Sequence, residues 1–160
     1  MARRSIYQRV HLSPGQAREV AERRLVDAEY LALSGLPRHA NGAIYLAGLA
    51  VECMLKAALI DKQPHLGAGD VQQVPKGEAY RWELIHRRHQ LDSLLTELPE
   101  IRARVQRAEA AGRKRLAATL KRICGTWTIF ARYSPTSASS SDARVFVQEV
   151  RELKPWLVNP

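Results

Sequence analysis

The sequence predicts an all-α fold, an up-and-down bundle of about five helices. Apolar residues recur at three- and four-residue steps through most of the chain, no stretch alternates with the two-residue period of a strand, and clusters of Pro, Gly and Ser fall between the periodic segments. With 160 residues, 46% of them hydrophobic, the chain can bury one substantial core. We divide it into a basic N-terminal segment (1–12) and a single helical domain (13–157).

Ser13, Pro14 and Gln16 form a capping-box signature, with proline in the first turn. The helix it opens runs to about Ser34, where Gly35 and Pro37 end it. A second helix covers roughly 39–62. Its small residues Ala43, Ala47, Gly48, Ala57 and Ala58 let neighbouring helices come close, and its apolar residues lie nearly all round, so it is expected at the centre of the fold. Glu52 and Lys56 interrupt its most apolar part, AIYLAGLAVECMLKAALI (43–60), which therefore reads as a buried helix rather than a membrane span.

Residues 63–80 hold two prolines and three glycines without periodicity and read as a long loop, of the kind that is often functional or mobile. A short third helix carries Leu91, Leu94, Leu95 and Leu98 at i, i+3, i+4, i+7. Pro99 opens a long amphipathic segment whose apolar stripe (Ile101, Val105, Ala108, Leu116, Leu120, Ile123, Trp127, Phe130) stays in phase, as one helix or two collinear pieces kinked at Gly112. Pro135 forbids continuation beyond ARYSP. The Ser-rich loop 134–141 leads to a final helix from about Asp142 to Leu153, with Val145, Val147, Val150 and Leu153 on its apolar face and Pro155 ending it.

The net charge is +9, and residues 102–122 carry eight basic side chains against one acid, Glu109. On a continuous helix Arg104, Arg107, Lys114, Arg115, Lys121 and Arg122 lie opposite the apolar stripe. Such a basic ridge suits a polyanion such as a nucleic acid, or an acidic partner protein, and otherwise is a solvated face. Cys53 and Cys124 sit in apolar helical surroundings without CxxC spacing, and no signal peptide is indicated, so the expectation is a cytoplasmic protein with reduced thiols and no membrane association.

Several residues carry possible chemistry. Glu52 and Lys56, an i, i+4 pair on the central helix, read either as an ion pair or as the floor of a polar binding site. Arg132 beside Tyr133 pairs a phosphate-binding guanidinium with a ring on which a base can stack, although an arginine at a helix C-terminus also complements the dipole. Arg81 and His86, spaced Arg-x4-His, and His89 one turn on, combine a phosphate holder with proton-transfer groups. His86, His89 and Asp92 recur at three-residue steps, but nothing else completes a ligand set, so neither a metal nor any other cofactor is expected.

Taken together, AIYLAGLAVECMLKAALI, HQLDSLL (89–95) and WTIFARYSP (127–135) resemble the HEPN family of small all-α prokaryotic domains. The second helix resembles the family's "A…E…LKA" pattern, His89 and Leu91 its "HxL" helix start, and Arg132-Tyr133 its "RY" helix end. The resemblance covers most of residues 14–157. It implies a helical bundle, usually homodimeric, acting in toxin–antitoxin, stress-response or anti-phage systems as a metal-independent RNase or as a nucleotide- or RNA-binding module, in some cases beside a nucleotidyltransferase-like protein. The family's RNases carry Arg-x4-6-His near the last helices. Here no histidine follows Arg132 at that spacing, and the only Arg-x4-His, Arg81–His86, precedes the third helix.

The leading expectation is thus a catalytically degenerate HEPN-like module. It binds RNA or a nucleotide through Glu52, Lys56, Arg104, Arg107, Lys114, Lys121, Arg132 and Tyr133, with a polar pocket near Glu52, Lys56, His89 and Arg132. One alternative is a metal-independent RNase toxin using Arg81/His86 or Arg132/His89. The other is a helical scaffold that docks an acidic partner.

Overall fold

A computed structural model describes residues 11–112 and 115–158; Lys114 of the basic ridge and most of the N-terminal segment lie outside the described residues. Among the described residues the fold is all-α without strands, and seven helices take the place of the expected five: α1 (Pro14–Leu33), α2 (Pro37–Lys62), α3 (Ala79–His86), α4 (Leu91–Thr96), α5 (Pro99–Ala110), α6 (Leu116–Thr126) and α7 (Ser140–Val158).

The start of α1 follows its sequence signature: Gln16 N donates to Ser13 Oγ at 3.2 Å and Ser13 N to Gln16 Oε1 at 3.0 Å. Its buried face is Ala17, Ala21, Leu25, Ala28 and Ala32, four of them alanines, so α1 lies close along α2. Gly35, at φ +67°, makes the turn between them. Helix α2 is the hub, contacting α1, α4, α7, the first 3₁₀ turn of the loop that follows it (Pro64–Gly67) and another at Ile129–Tyr133. It is long and apolar enough to cross a membrane, yet two thirds of its most apolar window (67%) is buried within the bundle, as a central core helix requires. Helix α7 packs across α1 and α2. Arg151 clasps both Glu29 oxygens at 2.6 Å and Lys154 pairs with Glu22, so charge as well as apolar area joins α7 to α1.

The segment 63–80 is a packed connection. Three 3₁₀ turns order it, Leu66, Gly67, Ala68 and Val74 are buried, and the Trp82 indole Nε1 donates to Ala68 O at 2.7 Å. The Leu-rich third helix of the sequence reading is α4, and ahead of it the structure adds a helix that reading lacks, α3, across an exposed turn at 87–90. All four leucines of the i, i+3, i+4, i+7 set are buried.

The long amphipathic helix is also corrected. The chain breaks at Gly112, φ +83°, and α6 folds back on α5. Glu109 Oε2 accepts from Ala117 N at 3.1 Å and so satisfies one of the free amides at the start of α6. A continuous helix over 99–130 would reach about 48 Å, well beyond a domain of this size, whose radius of gyration is about 15 Å. Folding back instead lets both halves of the stripe reach α4. Helix α6 stops at Thr126, so Trp127 is buried in extended backbone while Phe130, which the helical phase places on the stripe, is 70% exposed.

At the other end of the Ser-rich loop, α7 begins at Ser140 and runs through Pro155 rather than ending before it. The proline removes one backbone bond, but continuation buries Leu157, and the Trp156 carbonyl accepts from Arg104 Nη1 at 2.9 Å. Val145 is exposed; Phe146 takes its place on the apolar face.

Candidate functional site

One face of α2 carries Glu52 and Lys56 and is met by His89 and Arg132, since Tyr45, Glu52 and Lys56 are spaced by seven and four residues. Glu52 is 3% exposed and Lys56 8%, the only charged side chains fully buried among the described residues. Lys56 Nζ stands 2.6 Å from Glu52 Oε1. His89, on the turn before α4, places Nδ1 3.0 Å from both Glu52 oxygens. An ionised carboxylate only accepts, so Nδ1 carries the proton and donates, leaving Nε2 on a half-exposed ring. A carboxylate this deep is tolerable because two donors meet it. Burial also acts next door: it pushes the Cys53 thiol up to about 11, with the Glu52 charge adding to the effect.

Arg132 is not part of that cluster. Its Nη1 donates to the Tyr45 hydroxyl at 3.3 Å, and its guanidinium carbon lies 4.4 Å from the Tyr133 ring centre and 5.5 Å from that of Tyr45. Seven residues of helix separate Tyr45 from Glu52, about 10 Å, so the single pocket expected from the sequence is two neighbouring sites on one helix face. Arg132 is exposed and has no carboxylate partner among the described residues.

Trp127 and Asn41 build this second site, and neither was singled out for it from the sequence. The Trp127 ring stacks on Tyr45 with centroids 6.1 Å apart and lies against Gly48, where a Cβ would come within 2.0 Å of its Nε1. Asn41 donates through Nδ2 to Thr136 O at 3.0 Å and accepts from Ala138 N at 2.8 Å, holding the Ser-rich loop. Between this loop, α2 and the 3₁₀ turn at Ile129–Tyr133 lies an open groove of about 740 Å³, with the exposed rings of Phe130 and Tyr133 on its wall. The sequence signal available was Asn41–Tyr45–Gly48 at helical spacing on one face of α2.

Arg81 and His86 do not meet. Arg81 donates through Nε to Glu97 at 2.6 Å and through Nη1 to Glu78 at 3.0 Å, bonds that raise its pKa further, that to Glu97 foremost. His86 stacks on Trp82 at 4.7 Å and donates through Nε2 to the Leu66 carbonyl at 3.0 Å. Five residues apart on a helix, the two side chains leave it about 140° apart. Both are engaged in holding α3 in place. Among the described residues no three His, Cys, Asp or Glu side chains group as metal ligands, and His86 and His89 turn to different partners, Leu66 and Glu52.

The basic ridge is divided by the fold. Arg107, Arg115 and Lys121 are exposed, but Arg104 bonds the Trp156 carbonyl from a half-buried position and Arg122 pairs with Glu149. Reversal of the chain at Gly112 puts α5 and α6 side by side, so their cations line two helices instead of one straight row. Comparison with known family models, curated proteins and solved structures finds no match to this chain.

Proposed function

We propose that this protein is an RNA- or nucleotide-binding module of the HEPN type, a cytoplasmic component of a prokaryotic stress, toxin–antitoxin or defence system, which binds its ligand without cleaving it. The observation that carries this reading is Arg132: an exposed guanidinium without a carboxylate partner among the described residues, steadied by Tyr45 and Tyr133, its sequence neighbours Ala131 and Tyr133 lining a groove of about 740 Å³. A phosphate takes the guanidinium, and bases stack on the exposed Phe130 and Tyr133 rings. The Glu52–Lys56–His89 cluster serves as a polar brace beneath this face, its charges already satisfied by one another. Exposed Arg107 and Lys121 extend the attraction to a longer strand. Pairing of two copies, as the resemblance implies, would present two such grooves.

A second reading, a metal-independent RNase, draws support from Glu52 holding the His89 tautomer with Nε2 outward, as an orienting carboxylate does for a general base. Against it stands the separate anchoring of the two groups: His89 is held by Glu52 and Arg132 by Tyr45, which lie about 10 Å apart along α2.

The test is labelled single-stranded RNA incubated with the protein in EDTA at two salt concentrations, with bound and cleaved species resolved. Salt-sensitive binding, weakened about tenfold by Arg132→Ala and free of cleavage, is the expected result. Cleavage lost in His89→Ala would replace this reading by the RNase. Absence of binding to RNA and to mononucleotides alike would end it.

A further inference from the structure

The reversal of the chain at Gly112 leaves a crevice of about 250 Å³ between α5 and α6, which shares no lining residue with the groove beside the Ser-rich loop. Leu95, Val105 and Leu120 form its apolar floor, the exposed Ala118 stands on its wall, and Arg102 and Lys121 rise exposed at its rim. Neither cation has a carboxylate partner among the described residues. The one acid between residues 102 and 122, Glu109, does not line the crevice and is engaged by the amide of Ala117.

We propose that this crevice docks an acidic amphipathic helix of a partner protein, with an apolar side chain in the slot and carboxylates on Arg102 and Lys121. The floor is aliphatic, with no ring for a base to stack on, which disfavours a nucleic-acid strand as occupant. Its volume suits large side chains: a cavity of about 150 Å³ lined by apolar residues already holds a benzene ring. Alanine at 118 keeps one wall low, so a helix backbone can settle over it, in the manner of a helix laid into a groove. Cations on both sides give register and the surrounding positive field steers an acidic segment to the place. The surface does not depend on the nucleotide reading, and the two can be tested separately.

The experiment titrates the full chain against a fluorescently labelled synthetic helix of roughly 18 residues, long enough to stay helical, with leucines on one face and glutamates on the others. Saturable binding is expected, with affinity reduced about tenfold or more by Ala118→Trp, which plugs the crevice and alters no charge, and similarly by the double change Arg102→Glu, Lys121→Glu. All three substitutions are at exposed positions, and thermal melts confirm that each variant folds. A control peptide with serine for every leucine should bind at least tenfold more weakly. The proposal is overturned by no saturable binding, by equal binding of the serine control, by full affinity in Ala118→Trp, or by a fluorescent fatty acid occupying the slot where the peptide does not. Labelled RNA measured alongside separates the two ideas: Arg132→Ala should weaken RNA alone, and Ala118→Trp the peptide alone.

Discussion

Glu52 and His89, 37 residues apart in sequence, meet with the imidazole Nδ1 3.0 Å from both carboxylate oxygens, while Lys56 closes on the same carboxylate from one turn along α2. This contact joins the turn before α4 to the central helix. It also makes the middle of α2 tolerant of charge only as long as the partners stay.

Removing one partner of the buried pair strands the other. Lys56→Met should destabilise the protein by about 3–5 kcal/mol, because Glu52, 3% exposed, then keeps only His89. Replacing both, Glu52→Gln with Lys56→Met, should recover a good part of that loss. His89→Ala should be milder, about 1 kcal/mol, since the ring is 40% exposed. Urea unfolding of the three variants decides; a double variant no more stable than Lys56→Met alone would mean that the pair is not coupled.

Gly48 and Gly125 give opposite expectations for the same substitution. At Gly48 a Cβ meets the rigid Trp127 ring, so Gly48→Ala should cost about 1–3 kcal/mol and redden the Trp127 emission as the ring is displaced. Gly125 has nothing within 4 Å of its Cβ position and lies in α6, so Gly125→Ala should raise stability by up to about 1 kcal/mol. Similar shifts in Tm for the two would refute the packing of Trp127 on α2.

Acid should loosen the α1–α7 contact. The hydrogen bond from Lys154, with Arg151 second, holds the Glu22 carboxyl below its ordinary value of 4.5. A carboxyl whose pKa is depressed on folding contributes stability that is present above the unfolded value and lost as pH falls through the folded one. Stability should therefore decline below about pH 4.5, and less steeply in Lys154→Ala. Because Glu22 and Lys154 are both partly exposed the difference will be modest, and high salt should shrink it. Identical acid slopes in parent and variant would exclude Glu22 as a contributor.

Both thiols should be inert until the protein opens. Burial pushes Cys124 up to about 12 and Cys53 up to about 11. At pH 8 the reactive thiolate of Cys53 is then on the order of one part in a thousand. Alkylation by iodoacetamide should follow unfolding and accelerate sharply in urea. Rapid labelling of the native protein would show that the α2 and α6 cysteines are more accessible than the fold implies.

Features encoded locally could be read directly. The capping box at Ser13 and Gln16, the glycine turn at 35, the leucines Leu91, Leu94 and Leu95 of α4 and the centrality of α2 depend on hydrogen bonds and side-chain periodicity within a few residues. The i, i+4 spacing of Glu52 and Lys56 likewise guarantees their contact once α2 is helical. The path after Pro99 was different. An in-phase stripe is compatible with a straight helix, and Gly112 permits a break without requiring one; burial against α4 selects the hairpin. The same selection divides the basic ridge and opens the crevice between α5 and α6.

The candidate sites divide along the same line. Helical spacing was enough to nominate Glu52 and Lys56, because an α-helix has one geometry, and adjacency in sequence nominated Arg132 and Tyr133, which the structure puts in a 3₁₀ turn beyond the end of α6. Which of them lie together was decided by contacts across the fold: His89 reaches Glu52 from 37 residues away, Arg132 reaches Tyr45 from 87 away, and Arg81 is drawn aside to Glu97. Local hydrogen bonds set where helices begin and which side chains share a face. The competition of those faces for a single core, and of each buried charge for a partner, sets everything that lies between helices.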